Sequence, residues 1–225
     1  MSATVTTDLI QYLKPFITEE RWQKFNEAIR YRTRHITIAL EDIYQPHNAS
    51  AVLRTCDCFG IQDVHIIENH NKYEVNPDVA LGSSKWLNLV RYNGKTDNTA
   101  ACLESLKQQG YRLVATTPHK KDFTPETLPL DQKTALIFGT ELAGLSPVAL
   151  EMADDFIRIP MVGFTESLNI SVSAAIFIHT LTSRLRASAI PWQLTADEQS
   201  EIIFSWLKNS IKRSDLLVRD FMMKR

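Results

Sequence analysis

Short apolar runs alternate along the chain with longer segments whose apolar residues recur every three or four positions. The runs predict strands, and the longer segments predict amphipathic helices. The predicted strands are residues 35–40, 64–67, 113–116, 134–138 and 156–159. The predicted helices are residues 8–16, 18–32, 48–59, 98–109, 147–153 and 169–187, followed by one helical segment over 195–223. Strands that alternate with helices indicate an α/β fold, in which a parallel sheet carries helices on both faces.

Residues typical of helix ends support these boundaries. Thr18 can cap the helix that it begins, because its hydroxyl can accept a hydrogen bond from a backbone N–H of the first turn. Gly60 and Gly110 follow two other predicted helices, at positions where a left-handed backbone conformation commonly ends a helix. We therefore expect helix ends close to these three residues.

The size and composition bound the class of protein. A chain of 225 residues with 44% apolar content suits one sizeable α/β domain with terminal extensions, or two small domains. It has no run of about 18 uncharged apolar residues, so we expect no membrane span. Residues 1–16 lack the pattern of a signal peptide, so we expect a cytoplasmic protein. Cys56, Cys58 and Cys102 do not form a disulfide framework or a metal-ligand pattern, and we expect buried thiols and no metal.

The charge is unevenly distributed, although the net charge is only −1. Residues 1–40 hold six Lys and Arg against four Asp and Glu, and residues 205–225 hold six against two. Residues 41–155 hold ten against sixteen. Charged segments are usually solvated helix faces. The alternative is that the basic ends contact the phosphates of a nucleic acid while the acidic middle binds another ligand.

Four predicted loops follow the carboxyl ends of strands, which is where ligands bind in parallel sheets. They are residues 44–48, 116–121, 139–144 and 160–169. Gly139 and Gly144 have the glycine spacing of a phosphate-binding loop, but Leu145 stands where such loops carry lysine, which argues against ATP. No G-x-G-x-x-G sequence follows a strand, which argues against a dinucleotide. No histidine has the sequence context of a hydrolase triad.

Asn48, Arg54 and Asn169 each have an ordinary structural explanation. Asn48 and Asn169 can act as plain helix N-caps, and Arg54 can be a surface residue that pairs with Asp57. Considered alone, Asn48 and Arg54 are better explained in this way than by catalysis. The small residues after Asn169 suit a tightly packed chain crossing or a subunit interface.

Three segments in this order resemble the three motifs of the SPOUT-class RNA ribose 2′-O-methyltransferases of the TrmH group. They are residues 46–60 (PHNASAVLRTCDCFG), 137–145 (IFGTELAGL) and 159–172 (IPMVGFTESLNISV). The match extends from residue 36 to about residue 187. The resemblance implies a C-terminal trefoil knot, S-adenosylmethionine as the methyl donor, a homodimer and a reaction without a metal.

The resemblance also assigns roles to individual residues. It implies that Arg54 is catalytic and helps to deprotonate a ribose 2′-hydroxyl beside an RNA phosphate. The other residues that it implies in catalysis or subunit contact are Asn48, Glu141, Ser167 and Asn169. The residues implied in cofactor binding are Thr116, Gly139, Thr140, Ile159, Met161 and Leu168. Thr140 departs from the pattern, because relatives often carry Asn or Gln at this position.

The extensions on either side of the resemblance suggest the substrate. We expect residues 1–35 to form a basic helical RNA-binding extension, residues 36–187 the methyltransferase domain, and residues 188–225 a C-terminal helical extension. The predicted RNA contacts are Arg21, Arg30, Arg32, Arg34, Lys212 and Arg213. The members of the group with such ends methylate guanosine 18 of the tRNA D-loop. The alternatives are another tRNA or rRNA ribose, or a non-catalytic RNA-binding dimer.

Overall fold

The computed structural model describes residues 3–73, 76–80, 82–94, 97–120, 122–140 and 143–224. The chain divides into two units, of which one comprises Met1–Arg32 and Gln193–Arg225 and the other comprises Thr33–Trp192. The two ends of the chain therefore belong to the same unit. Among the described residues, no helix combines the length and apolar character that a membrane crossing needs.

The unit Thr33–Trp192 is built on a parallel sheet. In chain order its described strands are β1 (Ile36–Glu41), β2 (Asp63–Ile67), β3 (Asn88–Tyr92), β4 (Arg112–Thr116), β5 (Thr134–Phe138) and β6 (Asp155–Ile157). Across the sheet their order is β3-β2-β1-β5-β4-β6, and every neighbouring pair is parallel. Because Leu40 of β1 pairs with Phe138 of β5, the carboxyl ends of these two central strands lie side by side.

Helices cover both faces of the sheet, as the sequence predicts. The α-helices among the described residues of both units are α1 (Ala3–Leu13), α2 (Glu19–Ile29), α3 (Pro46–Cys58), α4 (Pro77–Ala80), α5 (Asn98–Gln108), α6 (Pro147–Met152), α7 (Ile170–Arg186), α8 (Ala196–Ser210) and α9 (Ser214–Met223). Short 3-10 helices occupy Lys14–Phe16 and Ser83–Lys85. Helices α3 and α7 pack together on one face, in a core with Ile38 and Leu40 of β1. Helix α5 packs on the other face, in a core with Ala39 and Ile137.

The predicted helix ends are confirmed. The hydroxyl of Thr18 accepts a hydrogen bond from the backbone N–H of Arg21 and so caps α2. Gly60 and Gly110 follow α3 and α5 with φ of 78° and 82°, the left-handed conformation that a side chain would disfavour. The side-chain oxygen of Asn169 accepts from the N–H of Ser171 and caps α7.

Several features of the fold differ from the sequence prediction. Helix α1 begins at Ala3 rather than at residue 8, and α4 was not predicted. Strand β3 was not predicted, because it pairs only with β2 at the edge of the sheet and Val90 within it is 38% exposed, which weakens its apolar pattern. The predicted segment 195–223 is two helices, since the chain turns at Arg213 with φ of 60°. Cys56 and Cys102 are buried as expected, but Cys58 is exposed.

The unit formed by the two ends is helical. Helix α8 packs against α1 and α2, and α9 packs against α1. The rings of Phe25 and Trp206 lie 5.3 Å apart in this core, and Tyr12 donates a hydrogen bond to Asp220 over 3.0 Å. Thr195 begins α8 with a capping box that it shares with Glu198. These contacts tie the first 32 residues to the last 33.

Candidate active site

A cleft of about 310 Å³ opens at the carboxyl edge of the sheet, where the chain leaves β4, β5 and β6. Its wall includes seven of the residues that the resemblance implicates, namely Thr116, Gly139, Thr140, Ile159, Met161, Ser167 and Leu168. Other residues in the wall are Phe138, Leu145, Ile170 and Phe177, which make its inner part apolar. A cleft of this size, with an apolar interior and polar groups on its loops, suits a small organic ligand.

The turn after β5 forms the wall between β5 and α6. We call it the Gly139 turn, and its described residues are Gly139, Thr140 and residues 143–146. Thr140 and Gly144 exchange backbone hydrogen bonds of 2.9 and 3.0 Å, and Gly144 has φ of 70°. The two sides of the turn touch at Gly139, since a Cβ there would lie 2.2 Å from the backbone of Gly144. Gly139 therefore cannot take a side chain without moving the turn. Glu141, which the sequence predicts to be functional, lies outside the described residues.

The loops after β4 and β6 form the opposite wall. The hydroxyl of Thr116 donates a 2.8 Å hydrogen bond to the carbonyl of Ile137, which joins the ends of β4 and β5. The sequence analysis did not select five polar residues that also line the cleft, namely Thr117, His119, Arg158, Glu166 and Ser173. Thr117, His119 and Glu166 lie in loops already expected to bind ligand, whereas Arg158 falls in the predicted strand 156–159 and Ser173 in the predicted helix 169–187.

Asn48 and Asn169 bring the first and third motifs into direct contact. The side-chain amide of Asn169 donates a 3.2 Å hydrogen bond to the side-chain oxygen of Asn48, which is buried. The amide of Asn48 in turn donates to the side chain of Gln45 over 3.2 Å. Asn48 lies in the first turn of α3 and Asn169 immediately before α7, so this contact fixes two helix starts beside the cleft.

Arg54 is not brought to the cleft within a single chain. It lies on α3 six residues after Asn48, which is about 9 Å further along the helix axis. Its side chain is exposed, and it is not among the described residues that line the cleft. Arg54 is therefore not part of the wall of this cleft in the single chain.

Apolar side chains are exposed in the loop 160–169 and at the start of α7. Val162 and Phe164 are fully exposed, and Leu168 and Val172 are 39% and 46% exposed. Such neighbouring apolar exposure is uncommon on a monomer and is typical of an interaction surface. We call these four residues the apolar rim of the cleft.

The predicted RNA-binding residues do not share one environment. Arg21, Arg30, Lys212 and Arg213 are exposed on the helical unit. Arg32 is only 4% exposed, and its guanidinium lies 5.3 Å from the centre of the Trp206 ring. Because a buried guanidinium cannot reach a phosphate, the prediction for Arg32 is wrong. Arg34 forms a 3.0 Å ion pair with Asp63, the first residue of β2, and so lies at the edge of the sheet opposite the cleft.

Two comparisons with known proteins, one with family models and one with individual proteins, indicate the same family. A model described as the SpoU rRNA Methylase family matches residues 35–179. A tRNA (guanosine(18)-2'-O)-methyltransferase of Borreliella burgdorferi is 43% identical over 203 residues, which are 90% of this chain and 91% of that protein.

Solved structures have the same fold. A crystal structure of an A. aeolicus TrmH/SpoU tRNA modifying enzyme matches with a TM-score of 0.76 and 29% identity, over 86% of this chain and 98% of that chain. The SpoU methyltransferase AviRb from Streptomyces viridochromogenes, in complex with the cofactor AdoMet, matches with a TM-score of 0.57 and 23% identity, over 72% and 62% of the two chains. The second structure supports the fold alone.

Proposed function

The chain belongs to the SpoU methylase family, and on this premise we propose that it transfers a methyl group from S-adenosylmethionine to the ribose 2′-hydroxyl of guanosine 18 in tRNA. The observation that carries the proposal is the cleft at the carboxyl edge. It gathers residues of the second and third motifs around one cleft, next to the bond between Asn48 and Asn169. The relative that shares 43% of its residues with this chain is named for the same reaction.

The cleft fits S-adenosylmethionine. Its apolar interior around Phe138, Leu145 and Phe177 suits the adenine ring, and the backbone of the Gly139 turn offers hydrogen-bonding groups to the polar parts. When bound, this cofactor would supply a methyl group activated by a positively charged sulfur. Attack of the ribose oxygen on the methyl carbon would break the carbon–sulfur bond and release S-adenosylhomocysteine, with the hydroxyl proton passing to solvent. Such a displacement needs no metal. Among the described residues, no group of three or more His, Cys, Asp or Glu side chains could hold one.

The side chains of this protein orient and activate the ribose. Arg54 holds an RNA phosphate through its positive charge and stabilises the 2′-oxygen as the hydroxyl loses its proton. Because free arginine is a very poor base, charge and position supply most of the effect. Asn48 and Asn169 fix the geometry at the mouth of the cleft, and the exposed hydroxyl of Ser167 lies on its wall to contact the substrate.

A second copy of the chain completes the site. Arg54 is exposed away from the cleft, and the apolar rim is uncovered in a single chain. A homodimer in which the rim is buried would bring Arg54 of one copy to the cleft of the other. Closed two-fold pairs are the commonest assemblies of identical chains.

The SPOUT-type trefoil knot is part of the proposal. Strand β6 is the outermost strand on one side of the sheet, whereas α7 packs with α3 over the central strands. Residues 160–169 connect β6 to α7 and therefore cross the carboxyl ends of the strands. The end of α7 is fixed to the loop after β4, because Arg184 donates hydrogen bonds of 2.6 and 2.9 Å to the carbonyls of Pro125 and Leu128. An experimental structure in which residues 160–169 pass outside that loop would contradict the knot.

The helical unit holds the tRNA. Arg21, Arg30, Lys212 and Arg213 are exposed there and can contact phosphates, while the loops around Asn48 meet the target nucleotide. Arg34 is retained as a weaker candidate because Asp63 already neutralises it. The reaction takes place where tRNA is found, in the cytoplasm.

Mapping of ribose methylation tests the proposal. Unmodified tRNA transcripts are incubated with the protein and labelled S-adenosylmethionine, and modified positions are located by mass spectrometry. We expect methylation at guanosine 18, and none in a transcript with adenosine there. Methylation at other positions and not at guanosine 18 would show that the substrate is another ribose. Cofactor binding with no transfer to any RNA would favour the non-catalytic dimer, and no binding would contradict the proposal.

A further inference from the structure

Glu41 is a buried acid at the carboxyl end of the central strand β1. It is 3% exposed, and it lies on the same face of the sheet as Ala39, which belongs to an apolar core. The described residues form no ion pair with it. Burying a carboxylate without a cation costs stability unless hydrogen bonds satisfy its oxygens. Such a residue needs a specific explanation.

Three donors surround the Glu41 carboxylate. The hydroxyl of Thr99 donates over 2.6 Å, and Ser146 donates twice, from its hydroxyl over 2.7 Å and from its backbone N–H over 2.9 Å. Two hydroxyls and one backbone N–H therefore satisfy both oxygens of this carboxyl group. Two of the three hydrogen bonds come from one residue, Ser146, and they hold it in place.

Ser146 is the point at which the Gly139 turn ends. The turn enters from β5, is closed by the bonds between Thr140 and Gly144, and leads through Leu145 to Ser146, which caps α6 through a 3.1 Å bond to Ala149. Glu41 does not line the cleft, but Gly139, Gly144 and Leu145 do. Because Leu40 pairs with Phe138, Glu41 lies beside the start of the turn while it binds the residue at its end.

We infer that Glu41 is a positioning residue that holds the Gly139 turn in the shape that binds S-adenosylmethionine. This inference rests on the proposed function, which supplies the ligand of the cleft. A carboxylate at Glu41 accepts hydrogen bonds from both donors of Ser146. The residue at which the Gly139 turn ends is therefore held in one position. An amide in its place would direct an N–H towards a donor and release one of the two bonds.

The test measures cofactor binding without RNA. Glu41→Gln and wild type are titrated calorimetrically with S-adenosylmethionine and with S-adenosylhomocysteine, well below the Tm of each variant. We expect Kd to rise at least about tenfold for both ligands, which corresponds to about 1.4 kcal/mol. An unchanged Kd in Glu41→Gln would overturn the inference. Absence of binding by wild type would instead contradict the proposed function.

Thr37→Val is the matched control. Thr37 lies on the same strand and the same face as Glu41, is fully buried, and donates a 2.7 Å hydrogen bond to the carbonyl of Asp63 at the other edge of the sheet. Removal of this hydrogen bond in Thr37→Val should lower Tm and leave the Kd for S-adenosylmethionine unchanged. If Thr37→Val weakens the cofactor as much as Glu41→Gln, the effect is general destabilisation and the inference is wrong.

Ser146 provides a second route if Glu41→Gln does not fold. Ser146→Ala removes one donor to Glu41, and should raise Kd by a smaller factor, whereas Ser146→Thr keeps the hydroxyl and should bind like wild type. The double variant Glu41→Gln with Ser146→Ala should bind no more weakly than Glu41→Gln alone, because both changes break the same contact. A Kd for the double variant that multiplies the two single effects would show that Glu41 does not act through Ser146.

Discussion

The side-chain amide of Asn169 donates a hydrogen bond to the side-chain oxygen of Asn48, across 121 positions of sequence. Each asparagine also has a local role, because Asn169 caps α7 and Asn48 donates to Gln45. The ordinary structural explanation of Asn169 is therefore correct, and so is its place beside the cleft. Substitutions can separate these two roles.

Asn169→Ser should keep the helix cap and lose the bond to Asn48, because serine is a good N-cap with a shorter side chain. We expect nearly unchanged stability and a fall in kcat of about tenfold or more, the size of effect expected when an interaction made in the transition state is lost. Asn169→Ala loses both roles and should cost about 1 kcal/mol of stability in addition. Thermal unfolding and steady-state kinetics measure the two effects. Full activity in Asn169→Ser would show that the hydrogen bond to Asn48 is not needed for catalysis.

Arg54→Ala should abolish methyl transfer and leave the affinity for S-adenosylmethionine nearly unchanged. The reason is that Arg54 lies outside the wall of the cleft but carries the charge proposed to act on the ribose. Single-turnover methylation and calorimetry measure the two quantities. Arg54→Lys, which keeps a charge without the planar guanidinium, is the control and should retain partial activity. Normal turnover by Arg54→Ala would exclude the assigned role.

Mixing two inactive variants tests whether the site is shared between copies. Gly139→Ala should lose cofactor binding, since its Cβ would meet the Gly144 backbone. If Arg54 serves the cleft of the partner, a mixed dimer of Arg54→Ala and Gly139→Ala chains contains one intact site, and co-expression should restore activity. If each site lies within one chain, every site in the mixture is defective and no activity returns.

Phe164→Asp should convert the proposed dimer to a monomer. The ring of Phe164 is fully exposed in the single chain, and a carboxylate in its place could not be buried by a second copy without a large desolvation cost. Light scattering after size-exclusion chromatography gives the mass. Met223→Asp, at an 80% exposed apolar residue outside the apolar rim, should remain dimeric. A monomeric wild type, or a dimeric Phe164→Asp, would exclude the rim as the interface.

Charge removal in the helical unit should weaken tRNA binding and its dependence on salt. Replacing Lys212 and Arg213 with Gln removes up to two phosphate contacts, so the slope of log K against log salt should fall by about two. Filter binding at several salt concentrations measures the slope. Arg34→Gln is the control, because Asp63 already pairs with Arg34. Equal slopes in wild type and the double variant would place the tRNA elsewhere.

His65 should make the protein less stable in mild acid. Burial lowers its pKa from 6.5 to about 4, an effect that the nearby Asp63 only partly opposes. Between these values the unfolded chain binds a proton that the folded chain does not. Stability is therefore unaffected above pH 6.5 and falls as pH decreases towards 4, by about 3 kcal/mol in total. Denaturant unfolding across this range should show a smaller loss in His65→Gln, and an equal loss would exclude His65 as the cause.

The sequence predicts most of the fold because the relevant signals are local. The cap at Thr18 and the left-handed glycines at positions 60 and 110 depend on neighbouring residues only. Strand β3 and the turn at Arg213 were missed for the converse reason. The edge strand exists through its pairing with β2, and a left-handed arginine has no sequence signature comparable to that of glycine.

The site could be predicted only in part. Position after a strand is enough to place Gly139 and Met161 at the same edge, and the resemblance supplies their roles. The burial of Arg32 beside Trp206 could not be read from its basic neighbours, because it depends on a helix more than 160 residues away. Glu41 gave no signal either, since an acid at the end of a strand resembles any loop residue until its donors are seen.

The contact between the two sides of the turn at Gly139 also bears on inhibition. A side chain at position 139 would meet the backbone of Gly144, so a substitution that changes the surface there also changes the shape of the cleft. A competitive compound that bound against Gly139 would leave resistance few routes at this position, because a variant that evaded it by adding a side chain would lose its own methyl donor.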